Sequence, residues 1–393
     1  MVQRLKNIYH LFQAILANLW YGFPSRKIKV IGITGTDGKT TTTHLIYHVL
    51  KKAGFRVSMI STVLARVAGQ EYETGLHTTT PSSFLIQKML KKAVSNKDEY
   101  FVLETTSHAL DQNRVWGISF YIGLITNITH EHLDYHNSYE EYVTTKAKLL
   151  SMSKIRIANK DDRSYRYLKS QISNLKFTTQ NLKTIDKITK LTKFNKYNYS
   201  AAYTVCKTIE ISDEKIKSAL KTFILPKGRL ETVYDKKFKV IIDFAHTPNA
   251  FENLLSEIKN MYLKNSGKLI HVFGSAGLRD KSKRSLMGKA SSNYSDYIIL
   301  TEEDYRTEKP SDIFKDIISG MGDYSNYETL ADRQKAINKA IALAKGGDTV
   351  LITGKAHEKS LCRGKTEYPW SEHDAVIKAL KILNTKFKDP NNF

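Results

Sequence analysis

The sequence of 393 residues is poor in cysteine and contains only Cys206 and Cys362. These two residues lie far apart and fit no metal-binding or redox spacing, which excludes a disulfide framework and a cysteine-based metal site. We therefore expect a protein of a reducing compartment and place it in the cytoplasm. Long apolar runs are also missing, because no stretch reaches the length of a membrane-spanning helix.

Acidic residues are scarce too: 39 Asp and Glu stand against 61 Lys and Arg, which gives a formal net charge of +22. Such an excess favours polyanionic partners, namely nucleotides, phosphorylated substrates, anionic lipid surfaces or nucleic acid. A solvated basic surface explains most of the lysines equally well. Because no basic motif is interleaved with aromatic residues, we expect no nucleic-acid partner.

The N-terminus predicts one amphipathic helix over residues 3–21. Its apolar stripe has helical spacing and consists of Leu5, Ile8, Tyr9, Phe12, Ile15, Leu16 and Leu19. His10, Gln13 and Asn18 interrupt the segment and no small-residue cleavage site follows, so it is a poor signal peptide. We favour a helix docked on the next domain, with attachment to a membrane surface or a partner as the alternative.

Strand-like apolar runs alternate with helical patterns from residue 27 onward, which predicts an α/β fold with mostly parallel sheets covered by helices. The first series has strands at 29–34, 56–61, 100–104 and 121–127, and helices at 41–53 and 139–152. The second series has strands at 239–243, 269–273, 297–300 and 349–353, and a final helix at 372–383.

Residues 226–228, Pro-Lys-Gly, form the best boundary between the two series. We therefore predict an N-terminal helix (residues 1–26), a central domain (27–226) and a C-terminal domain (227–393). Residues 165–195 are rich in Lys, Asn, Thr and Ser, and we expect them to be an exposed part of the central domain.

A glycine-rich turn, Gly-Thr-Asp-Gly-Lys-Thr at residues 35–40, joins the first strand to its helix. Glycines let backbone N–H groups approach phosphate oxygens, and the helix N-terminus adds partial positive charge. Lys39 would neutralise nucleotide phosphates and the Thr40 hydroxyl would reach a magnesium ion. The strict Walker pattern has glycine where this sequence has Ile33, but the position between strand and helix still indicates a nucleotide site.

Polar side chains also follow two other predicted strands. Glu104 ends one of them, where a carboxylate points into the ligand crevice and is a natural magnesium ligand. The next strand is followed by residues 127–136, Asn-Ile-Thr-His-Glu-His-Leu-Asp-Tyr-His. Alone, this run suits a zinc site or a surface histidine patch. Beside a phosphate-binding loop, a magnesium–phosphate role is the better interpretation.

These motifs together resemble the Mur ligase family, which extends peptidoglycan stem peptides, and in particular its E-type enzymes. Residues 34–41 resemble the family's TGTxGKTT loop, with Asp37 where asparagine is usual. Residues 228–231, 243–248, 273–284 and 354–358 resemble its GRxE, DYAHTP, VFGxGGxRDxxKR and GKGHE motifs. The resemblance implies a central P-loop ATPase-like domain and a C-terminal Rossmann-like α/β domain.

The resemblance also implies an ATP site with two magnesium ions. The implied ATP-binding residues are Gly35, Thr36, Asp37, Gly38, Lys39, Thr40, Thr41, Asn198, Arg229 and Asp243. The implied metal ligands are Thr40, Glu104, His132 and Lys146, the last as a carbamylated lysine. Carbamylation turns a cation into a carboxylate-like ligand, which is why a lysine suits this place. Lys39, His132, Lys146 and Arg229 are the implied catalytic residues.

Other matches concern the substrates. The implied substrate-binding residues are Thr78, Thr79, Ser107, Arg114, Arg279, Asp304, Arg306, Gly354 and Glu358. Diaminopimelate-adding enzymes carry Asp-Asn-Pro-Arg where residues 303–306 read Glu-Asp-Tyr-Arg. The retained Arg306 suits a side-chain carboxylate. The acidic edge that Glu302, Glu303 and Asp304 form would suit the ammonium of lysine, so the amino acid stays open between these two.

The implied activity is ATP-dependent ligation of diaminopimelate or lysine to a muramoyl dipeptide through an acyl phosphate, in cytoplasmic peptidoglycan synthesis. E-type ligases carry an N-terminal domain that binds uridine diphosphate (UDP), whereas only residues 1–26 precede the central domain here. We therefore expect a UDP- or lipid-linked precursor and a monomeric enzyme. The alternatives are a folylpolyglutamate synthase, which shares the two catalytic domains, and an amidating Mur ligase relative that acts on a different carboxylate.

Overall fold

The computed structural model describes residues 2–73, 79–129, 131, 135–136, 138–178, 181–188, 191–263 and 267–386. The chain divides into two compact units. The first consists of residues 1–129 and 136–226, and the second of residues 130–135 and 227–393.

Helices and strands alternate along the first unit. Its described helices are α1 (Val2–Tyr21), a short 3-10 helix (Pro24–Lys27), α2 (Lys39–Lys52), α3 (Ser83–Ser95), α4 (Ser107–Asp111), α5 (Tyr139–Ser151), α6 (Tyr165–Gln171), α7 (Leu182–Asp186), α8 (Lys193–Thr208) and α9 (Asp213–Lys221). Its described strands are β1 (Lys29–Thr34), β2 (Val57–Ile60), β3 (Ala65–Val67), β4 (Gln70–Tyr72), β5 (Tyr100–Glu104), β6 (Phe120–Ile125), β7 (Ser153–Ala158) and β8 (Leu175–Phe177).

These strands form one sheet in the order β4-β3-β2-β5-β1-β6-β7-β8. All neighbours from β2 to β8 run parallel, and β3 and β4 complete the sheet as antiparallel strands. Five of the six residues of β1 are buried, because this central strand has helices on both faces. In the register Ile33 lies beside Glu104, and Thr34 beside Ile125. The loops after β1, β5 and β6 therefore meet at one edge of the sheet.

Two element boundaries differ from the prediction for reasons that matter to this edge. The helix predicted at 41–53 begins at Lys39, since Gly38 takes a left-handed conformation (φ 79°) as its N-cap. The strand predicted at 121–127 ends at Ile125, because Thr126 and Asn127 leave the sheet to bond the loop after β1. Residues 165–195 are also less exposed than predicted, since Leu168 and Ile185 are buried.

Helix α1 packs against α3, in keeping with the docked interpretation. The fully buried face consists of small side chains, however, and comprises Ala14, Ala17 and Asn18. The Asn18 amide donates to the Trp116 carbonyl at 2.9 Å. The apolar stripe therefore points away from the first unit, contrary to what its composition suggests. Within the described residues, none of the helices has the length and hydropathy that crossing a membrane requires.

The second unit repeats the α/β pattern. Its described strands are β9 (Glu231–Asp235), β10 (Lys239–Asp243), β11 (Leu269–Phe273), β12 (Tyr297–Leu300), β13 (Tyr327–Thr329), β14 (Thr349–Thr353), β15 (Ser360–Arg363) and β16 (Thr366–Pro369). Its described helices are α10 (Pro248–Met261), α11 (Ser282–Tyr294), α12 (Pro310–Ile318), α13 (Arg333–Leu343) and α14 (Glu372–Lys386). The order β13-β12-β11-β14-β10-β9 is parallel except for β9, and β15 and β16 form a hairpin. The four predicted strands of this series are confirmed at both ends.

A buried ion pair joins two helices of the second unit. Arg333 of α13 and Glu372 of α14 are both fully buried and bonded through two guanidinium nitrogens. Arg333 also donates to the carbonyl oxygens of Glu302 at 3.0 Å and Thr353 at 2.7 Å. Burial alone would lower the pKa of Arg333, but the Glu372 carboxylate outweighs burial and raises it. The guanidinium is thus bonded to three separate parts of the second unit, namely α14, the loop after β12 and β14.

Candidate functional site

The loop after β1 leaves no room for side chains at its two glycines. Gly35 has φ 154°, and a Cβ there would lie 1.9 Å from the Thr126 hydroxyl. A Cβ on Gly38 would lie 2.1 Å from the Asn198 side-chain oxygen. Asn198 is buried and therefore supports the phosphate loop from α8. Only glycine satisfies both the backbone conformation and the space at these positions.

Two residues after β6 fix the shape of the same loop. Asn127 accepts from the Asp37 backbone N–H at 2.9 Å and donates to the Asp37 carbonyl at 2.9 Å. Its own carbonyl accepts from the Thr36 N–H at 2.8 Å, and Thr126 donates to Asp37 at 2.7 Å. We did not predict a role for either residue. The sequence feature that could have identified them is their position directly after β6, the strand that pairs with β1.

Two lysines share one acceptor in this loop. Lys39 Nζ donates to the Gly35 carbonyl at 3.0 Å and the Thr36 carbonyl at 2.7 Å. Lys146 Nζ, from buried α5, donates to the same Gly35 carbonyl at 2.7 Å. Burial, reinforced by the charge of Lys146, lowers the pKa of nearby His136 to about 4, so this imidazole is neutral near pH 7. Two lysine side chains therefore border the loop.

Side chains that carry oxygen atoms suitable for binding a metal meet on the other side of the loop. Glu104 Oε1 accepts from the Thr40 hydroxyl at 3.0 Å and the Thr62 hydroxyl at 2.8 Å. Glu104 Oε2 accepts from the Thr62 N–H at 2.8 Å. Both predicted ligands thus lie together at the N-terminus of α2. Thr62 was not predicted, because the turn after β2 has no recognisable motif.

A carboxylate beside a hydroxyl matches the preference of magnesium for hard oxygen ligands completed by phosphate and water. No group of three or more His, Cys, Asp and Glu side chains among the described residues is placed to hold a metal by itself. His132 and Thr78 lie outside the described residues. The residues present therefore fit a magnesium ion bound together with nucleotide phosphates. A zinc site built from protein ligands alone finds no support among them.

A second group of polar residues adjoins Glu104. The Thr79 hydroxyl accepts from Thr62 at 3.1 Å, and the Thr80 hydroxyl donates to the Glu104 carbonyl at 3.1 Å. Arg114 Nη1 donates to the Thr80 carbonyl at 2.5 Å. The buried Ser107 hydroxyl has no hydrogen-bond partner within the described part of the chain. Such a group matches a site that binds a polar substrate.

In the second unit, Asp243 organises the segment that carries Arg229. Its two carboxylate oxygens accept from the N–H groups of Leu230 and Ala245, each at 2.7 Å. Burial raises the pKa of Asp243, and the charge of Arg229 partly opposes this. The Arg229 guanidinium lies 4.7 Å from the centre of the Phe244 ring. Asp243 therefore has a positioning role in addition to any contact with ligand.

Two of the three carboxylates of the acidic edge form ion pairs within the second unit. Asp304 accepts from Lys355 Nζ at 2.8 Å and from the Cys362 N–H at 2.9 Å. Lys355 also pairs with Glu358 at 2.5 Å. Glu302 pairs with Arg363. Glu303 is buried beside Gly354, and its Oε2 has no hydrogen-bond partner among the described residues.

Arg306 and Arg279 differ in how they are held. Arg306 takes a left-handed backbone conformation (φ 52°) and donates through Nη1 to the Gly277 carbonyl at 2.6 Å. A Cβ on Gly277 would lie 2.0 Å from the Tyr305 carbonyl, so the two loops are in close contact. Arg279 is exposed on the loop after β11. The first guanidinium is fixed by backbone contacts, and the second stands in solvent.

Comparison with known proteins relates this geometry to a family. Residues 33–223 match the Mur ligase middle domain, and residues 228–356 match the Mur ligase, glutamate ligase domain. The chain is 40% identical to the UDP-N-acetylmuramoyl-L-alanyl-D-glutamate–2,6-diaminopimelate ligase of Aquifex aeolicus, over 93% of this chain and 80% of that protein. A solved structure of an enzyme with the same name is 26% identical, with a TM-score of 0.57 over 91% of this chain and 79% of that one.

The folylpolyglutamate synthase of Mycobacterium tuberculosis, solved with ADP and AMPPCP, has a TM-score of 0.66 at 14% identity, over 88% of this chain and 92% of that one. At this identity the likeness concerns the fold alone. The two matched domains and the extensive identity to E-type ligases are the specific findings. The chain belongs to the Mur ligase family of ATP-dependent amide-forming enzymes, within its E-type branch.

Proposed function

We propose that this enzyme adds diaminopimelate to a muramoyl dipeptide, with hydrolysis of ATP to ADP, in cytoplasmic peptidoglycan synthesis. The names of the relatives describe this reaction, and the loop of residues 35–41 with Glu104 supplies a matching phosphate and magnesium environment. The precursor carries UDP or a lipid carrier at its far end, and the enzyme acts as a monomer. Residues 27–226 serve as the ATP-binding domain and residues 227–393 as the ligase domain.

The side chain of Arg306 carries the choice of diaminopimelate over lysine. Asp304 pairs with Lys355 and Glu302 pairs with Arg363, so both carboxylates already have a cationic partner within the protein. Arg306 uses Nη1 for the Gly277 carbonyl, while its Nε and Nη2 make no hydrogen bond to the described residues. A guanidinium with two donors on one side suits a carboxylate. Diaminopimelate has such a distal carboxylate and lysine lacks it.

The reaction proceeds through an acyl phosphate. The peptide carboxylate attacks the γ-phosphate of ATP and releases ADP, and the amine of the amino acid then attacks the carbonyl and expels phosphate. Bound magnesium lowers the cost of charge building up on the phosphates. Lys39 and Arg229 neutralise the transferring group, and the N–H groups of residues 38–40 orient it. Thr79, Ser107 and Arg114 bind the muramoyl peptide, and Arg279, Gly354 and Glu358 bind the incoming amino acid.

The test is phosphate release with ATP, UDP-N-acetylmuramoyl-L-alanyl-D-glutamate and a panel of amino acids. We expect turnover with meso-diaminopimelate at a kcat/KM at least about a hundredfold above that with lysine, because only the former pairs with Arg306. In Arg306→Leu this preference should fall to about tenfold or less, mainly through KM. A wild-type preference for lysine would reject the choice of amino acid, and no turnover with any diamino acid would reject the reaction.

We further propose that Lys146 is carbamylated and that two magnesium ions bind, the second with His132. The support is the buried position of Lys146 against the loop, where a carbamate keeps one N–H for the Gly35 carbonyl. Lys146→Ala should lower phosphate release about a hundredfold. Isotopically labelled bicarbonate should give a carbamate NMR signal in the wild type and in the control Lys148→Ala, and none in Lys146→Ala. Identical spectra for both variants would exclude the carbamate.

A further inference from the structure

Helix α1 attaches to the first unit by the small buried residues Ala14 and Ala17 and by directional hydrogen bonds. Asn18 donates to the Ala14 and Trp116 carbonyls at 2.8 and 2.9 Å, and a Cβ on Gly117 would collide with its amide. At the other end Asn7 donates to Asp111 at 2.9 Å, and this carboxylate also lies 3.5 Å from Lys148. These contacts set the rotation of the helix about its axis and determine which face is left outside.

The outer face is the apolar stripe, which the proposed ligase reaction does not use. Ile15 of this stripe is half-buried. Its other six residues and the adjoining Trp20 are between 41% and 80% exposed, namely Leu5, Ile8, Tyr9, Phe12, Leu16, Leu19 and Trp20. Spacings of three and four residues place them along one side of a helix about 30 Å long. Soluble monomers rarely expose so many large apolar groups in one continuous row. The row therefore marks a surface that has a partner.

The surroundings of the stripe are basic. The 3-10 helix and α3 pack against each other, and α1 packs against α3. None of these three helices contains an acidic residue. Exposed cations on them are Lys6, Arg26, Lys27, Lys88, Lys91 and Lys92. We call α1, the 3-10 helix and α3 together the N-terminal surface. It combines an apolar row with a positive rim.

We propose that the N-terminal surface docks on an anionic lipid membrane, with α1 lying in the plane of the interface. Apolar and aromatic side chains such as Phe12 and Trp20 enter the boundary between headgroups and acyl chains, while the basic rim pairs with lipid phosphates. The amphipathic pattern, the aromatic residues and the absence of acids are the features of helices that lie on membranes. The site is separate from the phosphate loop and goes beyond the proposed ligase reaction.

A second copy of the chain suits this surface less well. A twofold interface brings the same patch against itself, so the six basic side chains of one copy would face those of the other. Like charges opposed in this way are unfavourable. An anionic bilayer satisfies the apolar row and the basic rim at once.

The test is co-sedimentation of the full chain with vesicles, without ATP or peptide, so that its outcome is independent of catalysis. We expect binding to vesicles of phosphatidylglycerol and phosphatidylcholine, and at least about tenfold weaker binding to phosphatidylcholine alone. Phe12→Ser with Leu16→Ser should lower binding about tenfold or more through lost apolar contact. Lys88→Glu with Lys91→Glu should do the same and should remove the salt dependence.

The controls change equally exposed residues of the second unit. Ile377→Ser on α14, and Lys335→Glu with Lys378→Glu, should bind vesicles like the wild type. Binding that is absent in the wild type, or equal in all variants, would overturn the proposal. So would self-association that rises with protein concentration and disappears in Phe12→Ser with Leu16→Ser, since it would assign the stripe to a second copy. Turnover of a soluble precursor should be unchanged in every variant.

Discussion

Replacing Lys39 with alanine is expected to lower ADP formation about a thousandfold. The Lys39 ammonium lies over the phosphate loop, against the carbonyls of Gly35 and Thr36, where it can meet the oxygens of a transferring phosphate. Alanine retains the helix start and removes the charge. Because the lost contact strengthens as charge develops on the phosphate, most of the effect should appear in kcat.

The matched control is Lys51→Ala, which removes an exposed lysine from the last turn of the same helix. It should retain wild-type turnover, and both variants should unfold at the wild-type temperature, since neither lysine is fully buried. Turnover of Lys39→Ala within about threefold of the wild type would show that residues 35–40 do not bind the reacting phosphate.

Arg333→Met should destabilise the second unit by about 3 to 5 kcal/mol. Methionine fills much of the space of the arginine stem but leaves the fully buried Glu372 carboxylate without its cation. It also leaves the carbonyls of Glu302 and Thr353 without their donors. Urea unfolding followed by Trp370, in a background with Trp20→Phe and Trp116→Phe, reports on this unit, because the Trp370 indole donates to Glu372.

Two further variants separate the ion pair from the general cost of a substitution. Lys335→Met, at an exposed position of the same helix, should change stability by less than about 0.5 kcal/mol. Adding Glu372→Gln to Arg333→Met should recover about half of the loss, because the remaining partner is then neutral and still accepts from Trp370. A loss below about 1 kcal/mol in Arg333→Met would contradict the assignment of this pair as a major contact between α13 and α14.

The sheets were predictable from sequence because buried parallel strands read as continuous apolar runs. β1, β5, β10, β11, β12 and β14 have the predicted limits. The side chains that shape the phosphate loop were harder to predict from sequence, since Asn127 and Thr62 act through contacts between segments far apart in sequence. The spacing of apolar residues along the sequence identifies the helices and strands. The hydrogen-bond partners of a polar side chain, in contrast, depend on how these helices and strands pack together.

The orientation of α1 was also not predictable from the sequence, although here the pattern concerned is apolar. Its apolar stripe predicts the buried face of a docked helix, yet Asn18 and Asn7 direct the opposite face inward. Likewise Glu302 and Asp304 read as an open acidic edge, because the sequence does not show that Arg363 and Lys355 neutralise them. In both places, contacts between segments far apart in sequence determine which side chains are exposed and which charges are paired. Local composition does not show this.

The pairing of Lys355 with Asp304 and Glu358 has an evolutionary consequence. Replacement of Asp304 by the family's usual asparagine would leave the buried ammonium of Lys355 with one carboxylate, that of Glu358, while the asparagine oxygen could still accept from the Cys362 N–H. The effects of substitutions at 304, 355 and 358 are therefore epistatic, and their order matters. A lineage that changes one member of this buried triad therefore alters the electrostatic surroundings of the other two, so the outcome of each substitution depends on those that came before it.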